Sequence, residues 1–197
     1  MDVHAYYRFG LWFIFIYAAV VFPLLFFVTA PYGRHNRGGW GPQMNARWAW
    51  VVMEAPSPIA FTVVYLMGTH AWSTAPLVLA GLYLLHYIYR AFIFPFRMRG
   101  EDKKTKPLLT VVMAIVFNVF NGSLNALAIA WFGDHLVSGW TGDPRFALGV
   151  ALFFVGWAVN HQSDAILRGL RAPGETGYKI PRGGLYRWVT SPNYFGE

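Results

Sequence analysis

The chain has 197 residues, 56% hydrophobic and only 13% charged, with a formal net charge of +7 and no cysteine. A soluble domain usually carries about 25% charged residues, so a water-soluble body is excluded, and the missing cysteines exclude disulfides and thiolate metal sites. The basic residues cluster in particular loops and no RNA- or DNA-binding module is visible, which excludes a nucleic-acid partner.

Aromatic residues make up 19% of the chain, with nine Trp, as suits side chains that sit at membrane interfaces. The expected fold is all-α, a polytopic helical bundle, with residues 1–197 as one transmembrane domain. Five runs reach the ~20 residues needed to cross a bilayer. They are roughly 9–30, 47–68, 75–95, 107–132 and 145–168, and a sixth starts near Asn193. The run Leu11–Ala30 is longer than the about 7–15-residue core of a cleavable signal, so it reads as a retained helix.

The loops set the topology. Arg34, Arg37 and Arg47 follow the first run, and 68–75 has no Lys, Arg, Asp or Glu. Loop 96–106 holds Arg97, Arg99, Lys103, Lys104 and Lys106, whereas 133–144 holds Asp134 and Asp143 without a cation. After 168 come Arg171, Lys179, Arg182 and Arg187. Basic residues mark cytosolic loops, so the N-terminus is expected outside and loops one, three and five in the cytosol, in either a bacterial inner membrane or the endoplasmic reticulum.

Three polar features interrupt the spans. Glu54 is the acidic residue well inside an apolar run, followed by Pro56 and Pro58, which cannot continue the helical hydrogen-bond ladder. A carboxyl there marks a functional site more often than a structural one, although a protonated carboxyl bonded to freed carbonyls would also explain it. Tyr83, Tyr87, Arg90 and Phe94 share one face of the third span and suit either a bundle interior or an interfacial girdle. Asn118, Asn121 and Asn125, with Gly122, are read as interhelical hydrogen bonds and close packing.

The densest polar stretch is 160–197. Asn160, Asp164, Arg168 and Arg171 lie at i, i+4, i+8 and i+11, on one helix face. Asn193 and Glu197 repeat the i, i+4 spacing. No glycine-rich nucleotide loop occurs, so a nucleotide would be held by this face and by the cations Arg168, Arg171, Lys179 and Arg182. Simple anchoring of the helix end explains the cations equally well. The six His residues show no metal-ligand spacing, so no metal is expected.

The blocks Asn160…Ser163-Asp164…Ile166-Leu167-Arg168…Leu170-Arg171, Pro173-Gly174-Glu175, Tyr178-Lys179-Ile180-Pro181, Gly183-Gly184-Leu185 and Asn193-Tyr194-Phe195-Gly196-Glu197 resemble the steroid 5α-reductases (3-oxo-5α-steroid 4-dehydrogenases). Pro31-Tyr32-Gly33-Arg34, Ala46-Arg47, Ala49-Trp50, Glu54, Pro56-Ser57 and Leu85-His86-Tyr87…Arg90 match in the same order, so the resemblance covers nearly the whole chain. Gln162-Ser163-Asp164 stands where the family usually has His-Ser-Asp.

The resemblance implies a seven-helix membrane enzyme, acting as a monomer, that uses NADPH to reduce the Δ4 double bond of a 3-oxo steroid. It implies that this chain lacks the last two helices. It assigns Glu54 and Tyr87 to the substrate carbonyl. Arg34, Asn160, Asp164, Arg168, Arg171, Tyr178, Lys179, Asn193 and Glu197 fall to the NADPH site and its surroundings, and Trp50 and Phe117 to the steroid pocket.

The chemistry agrees with those roles. Hydride addition to an enone drives negative charge onto the carbonyl oxygen, which two hydrogen-bond donors stabilise. An isolated carboxyl in an apolar span keeps its proton and so serves as a donor. The alternatives are reduction of another enone-like lipid (a polyprenal or an enoyl thioester), a membrane methyltransferase using S-adenosylmethionine, and a non-enzymatic scaffold.

Overall fold

The computed structural model describes residues 2–31, 39–100, 104–172, 175 and 179–197. Contacts divide the chain into two compact units, Met1–Ser138 and Gly139–Glu197, which are described in turn.

In the first unit, α1 spans Val3–Phe27. Asp2 caps it, its carboxylate accepting from the His4 N–H at 3.0 Å. Gly10 is the one buried residue of this helix. Rings such as Trp12, Phe15 and Phe26 stand exposed, as a surface bathed in lipid tails requires.

The second span is interrupted in its hydrogen-bond ladder. Asn45 caps α2, Ala46–Glu54, by accepting from Arg47 N and Trp48 N. The chain then continues as α3, Pro56–Leu66. Pro56 and Pro58 have no N–H for the carbonyls of Val52 and Glu54 one turn back, which opens the ladder beside Glu54. The third span begins as α4, Thr74–Ile88. It widens into a π-helical turn, Tyr89–Ile93, and ends in α5, Phe94–Arg97. The fourth is α6, Leu108–Ala130, followed by the short α7, Asp134–Val137.

Helices α3 and α6 make the closest crossing. A Cβ on Gly122 would fall inside contact distance of the Ser57 carbonyl oxygen, so only glycine admits this approach. Around it Phe61, Tyr65, Ala71, Ala80, Ala126 and Ala130 form the buried cluster. Small residues dominate, as expected where helices associate through van der Waals packing in lipid.

The loops pair by parity. Strand β1, Gln43–Asn45, lies antiparallel to β2, Thr105–Pro107, with Met44 opposite Lys106. This joins loops one and three. At the other end the His70 N–H donates to the Ala130 carbonyl at 2.9 Å. His70 Nε2 lies 2.7 Å from Asp134 Oδ1. The two sets of loops that differ in charge therefore occupy opposite ends of the helix packet.

The second unit is built on α8, Pro144–Gly169. Asp143 caps it and forks onto Arg145. Residues Gly184–Arg187 form a 3-10 turn, and α9 covers Pro192–Phe195. Gly156 and Gly196 each lie so near the other's carbonyl oxygen that a Cβ on either would collide.

Four helices among the described residues are long and apolar enough to cross a membrane: Val3–Phe27, Ala46–Leu66, Thr74–Arg97 and Leu108–Ala130. The protein is thus an all-α integral membrane protein. The fifth expected span exists as α8 but is not among the four, because polar residues from Asn160 onward dilute its apolar run. The expected sixth span is represented by the four residues of α9.

Candidate functional site

Glu54 closes α2 just before the two prolines of α3. The neighbouring Met53 carbonyl is taken by Asn118 Nδ2 at 2.7 Å. Across from it, the π-turn carries Arg90. Arg90 Nε is 3.7 Å from Glu54 Oε1, and the two side chains are 17% and 15% exposed. Such a turn inserts an extra residue into the helix and is common at functional sites. Here its Arg90 carbonyl accepts from Trp50 Nε1 at 3.2 Å. The guanidinium also lies over the Trp50 ring, 4.9 Å from its centroid. Lys106 Nζ sits 4.1 Å from the same centroid.

Arg90 corrects one expectation. Glu54 is not an isolated carboxyl, because a cation faces it in the same low-dielectric surroundings. A proton leaving Glu54 leaves a carboxylate with a cation beside it.

Tyr87 belongs to a hydroxyl and amide cluster. Asn121 Nδ2 lies 2.6 Å from the Tyr87 oxygen, and 3.2 Å from both Ser57 Oγ and the Tyr83 oxygen. Ser57 and Tyr83 share a 2.6 Å hydrogen bond.

A cleft of about 480 Å³ runs between α1 and α6. Tyr17, Val21, Leu24 and Leu25 form one wall, with Met113, Ala114 and Phe117 opposite and Met53 also in the lining. Its size and apolar lining are those of a small-molecule site. Phe117 is among its lining residues. Trp50 is not: it is buried behind the Arg90 guanidinium.

In the second unit, Asn160, Ser163 and Asp164 are buried on one face of α8. Asn160 Nδ2 donates to the Asn193 carbonyl at 3.0 Å and approaches Glu197 Oε1 at 3.4 Å. These three expected site residues are therefore brought together, with Asn160 fastening α9. Arg168 Nη1 and the Tyr186 hydroxyl are buried without a hydrogen-bond partner. Burial, with the nearby Asp164 charge, pushes the Tyr186 phenol up to about 12. It is therefore a neutral donor at physiological pH.

Lys179 pairs with Glu175, whose carboxylate also accepts from Ala172 N. Arg171 is exposed. Arg34 and Tyr178 lie outside the described residues. An unpartnered guanidinium N–H and phenol beside amide and carboxylate groups suit the phosphates and sugar hydroxyls of a dinucleotide.

Sequence reasoning missed the cluster as a unit. Tyr83, Arg90 and Asn121 were visible as polar positions and Ser57 only within the matching Pro56-Ser57 block, while Tyr186 carried no signal. Only the α3–α6 crossing reveals that Ser57 meets Asn121.

A family profile described as 3-oxo-5-alpha-steroid 4-dehydrogenase matches residues 104–197. The chain is 40% identical over 185 residues to 3-oxo-5-alpha-steroid 4-dehydrogenase 1 of Bos taurus, covering 90% of this chain and 70% of that protein. It is 38% identical over 175 residues to steroid 5-alpha-reductase DET2 of Gossypium hirsutum, covering 88% and 68%. Against 3-oxo-5-alpha-steroid 4-dehydrogenase 1 of Homo sapiens it is 44% identical over 169 residues, covering 84% and 64%.

Proposed function

The chain belongs to the 3-oxo-5-alpha-steroid 4-dehydrogenase family, and from that premise we propose that it reduces the Δ4 double bond of a 3-oxo steroid with NADPH. The observation that carries this reading is a half-buried Glu54–Arg90 pair and a Tyr87 hydroxyl held by Asn121 within apolar helices that also enclose an apolar cleft.

Bound NADPH supplies the hydride that adds to the β-carbon of the enone. The chain's residues manage the charge that then moves to the carbonyl oxygen. Tyr87 accepts from Asn121 and gives its own O–H to that oxygen. Glu54 in its protonated form passes its proton to that oxygen from the other side, and Arg90 stabilises the carboxylate this leaves. The enol then returns that proton to Glu54 as solvent delivers one to the α-carbon and the carbonyl re-forms, so one hydride and one proton add across the double bond. The cleft between α1 and α6 takes the steroid from the bilayer, with Phe117 against its rings.

Asp164, Arg168 and Tyr186 hold the nucleotide, with Asn160, Asn193 and Glu197 shaping the floor beneath it. Arg171 and Lys179 complete the surroundings. The basic loops face the cytosol, where the nucleotide is.

Turnover of a 3-oxo-Δ4 steroid by the protein in lipid nanodiscs, followed by mass spectrometry of the product, tests this. Glu54→Gln and Tyr87→Phe should each lower kcat by roughly 10²–10³-fold, the usual loss for one donor to a developing oxyanion. Full activity in both variants would remove the assigned roles.

A further inference from the structure

The polar cluster around Tyr87 has a direction, and that direction carries a role for Asn121. An amide N–H can only donate. Asn121 Nδ2 stands 2.6 Å from the Tyr87 oxygen, so Tyr87 accepts there and its own proton is turned elsewhere.

The amide is held in this sense by the next turn of α6. Asn125 Nδ2 donates to the Asn121 carbonyl at 2.8 Å and to Asn121 Oδ1 at 3.2 Å. Since Oδ1 receives a donor, Nδ2 must be the end that faces the hydroxyls. Its remaining hydrogen is shared by Ser57 Oγ and the Tyr83 oxygen, each at 3.2 Å. Gly122 places α6 close enough to Ser57 for this to occur.

We propose that Asn121 is the positioning residue that keeps Tyr87 a donor to the substrate ketone. The proposal rests on the reading that Tyr87 meets that ketone. A hydrogen bond accepted by the phenol oxygen also strengthens the one it donates. As Tyr87's proton leans toward the substrate oxygen, the charge gathering on the phenol is held by the Asn121 N–H.

Asn121→Asp tests the direction, because it keeps the shape and replaces the N–H with an acceptor. Tyr87 then turns its proton to the carboxylate and away from the substrate. The expected loss in kcat is ~10²-fold or more, with KM within about threefold if ground-state binding is kept. Asn121→Ala should lose less, since it supplies no competing acceptor. In the Tyr87→Phe background neither change should lower kcat further, because residues acting through one group are not additive.

The readout that a packing role would not move is the infrared carbonyl band of a bound 3-oxo steroid labelled with ¹³C at the ketone. The band should lie at lower frequency in the parent protein and return toward its free position in Asn121→Asp and Tyr87→Phe. Ser123→Ala, on the same helix but bonded to Tyr6, should reduce thermal stability and leave the band in place.

A shifted band that survives Asn121→Asp overturns the role of Asn121 alone. A bound ketone with no shift in the parent protein overturns the placement of Tyr87, and this inference with it. If Asn121→Asp does not fold, the same comparison is made with Asn121→Ala, where an unchanged band and kcat would be decisive against it.

Discussion

Gly122→Ala is the most direct probe of how the fold sets the site. The added methyl would occupy space held by the Ser57 carbonyl oxygen, a backbone atom that cannot swing aside as a side chain would. Overpacking costs about 1–3 kcal/mol, and a rigid neighbour puts this change at the top of that span. Alanine recovers ~1 kcal/mol of helix propensity over glycine, which leaves a net loss of about 2 kcal/mol. For a chain of this size that lowers Tm by roughly 4–8 °C.

Gly81→Ala is the matched control, for a Cβ there meets nothing within 4 Å. It should gain the propensity term alone, raising Tm by roughly 2–4 °C. Thermal unfolding of both variants in nanodiscs gives the comparison, and turnover of a 3-oxo-Δ4 steroid reports whether Ser57 has been pushed from Asn121. A Gly122→Ala protein as stable as Gly81→Ala would refute the claim that this glycine sets the α3–α6 distance.

Arg168→Leu should separate ligand binding from folding. Its Nη1 is buried without a partner, a situation that costs about 1–3 kcal/mol. The nucleotide-free Tm should therefore hold or rise, while NADPH affinity falls by roughly tenfold or more. Melting curves with and without NADPH read both, and a drop in the nucleotide-free Tm would count against the assignment. Tyr186 gives a pH signature. Its phenol titrates near 12 folded and near 10 unfolded, so the folded state holds its proton more tightly. That contribution is complete below pH 10 and is lost as pH rises toward 12. Tyr186→Phe should flatten the alkaline decline in stability over that window, measured by chemical unfolding at fixed pH.

Much of the fold was legible because hydropathy measures what a bilayer selects. The second and fourth spans were read to within two residues of their ends at 46–66 and 108–130. The first starts at Val3 rather than near residue 9, because His4, Tyr6, Tyr7 and Arg8 lie on the helix outside the apolar run. The charge alternation among loops agrees with their pairing in the first unit, Met44 beside Lys106 at one end and His70 beside Asp134 at the other.

The π-turn left no trace, since Tyr89–Ile93 has the same composition as an ordinary apolar helix. The three-residue strands show no alternation either. Within the site, Glu54 was legible as an anomaly, but Arg90 as its partner required the geometry of that turn. Asn121 was read as a packing residue because a sequence gives no distance between helices.

The outer wall of the cleft has a kinetic consequence. Helix α1 lines it with Tyr17, Val21, Leu24 and Leu25, while Leu24 and Leu25 remain over half exposed. A lipophilic ligand therefore has one helix thickness to cross between the acyl chains and the cleft. What the protein senses is the mole fraction of that ligand dissolved in the membrane, so a KM stated per litre of buffer varies with the amount of phospholipid present, and only a value referred to the lipid phase is a property of the protein.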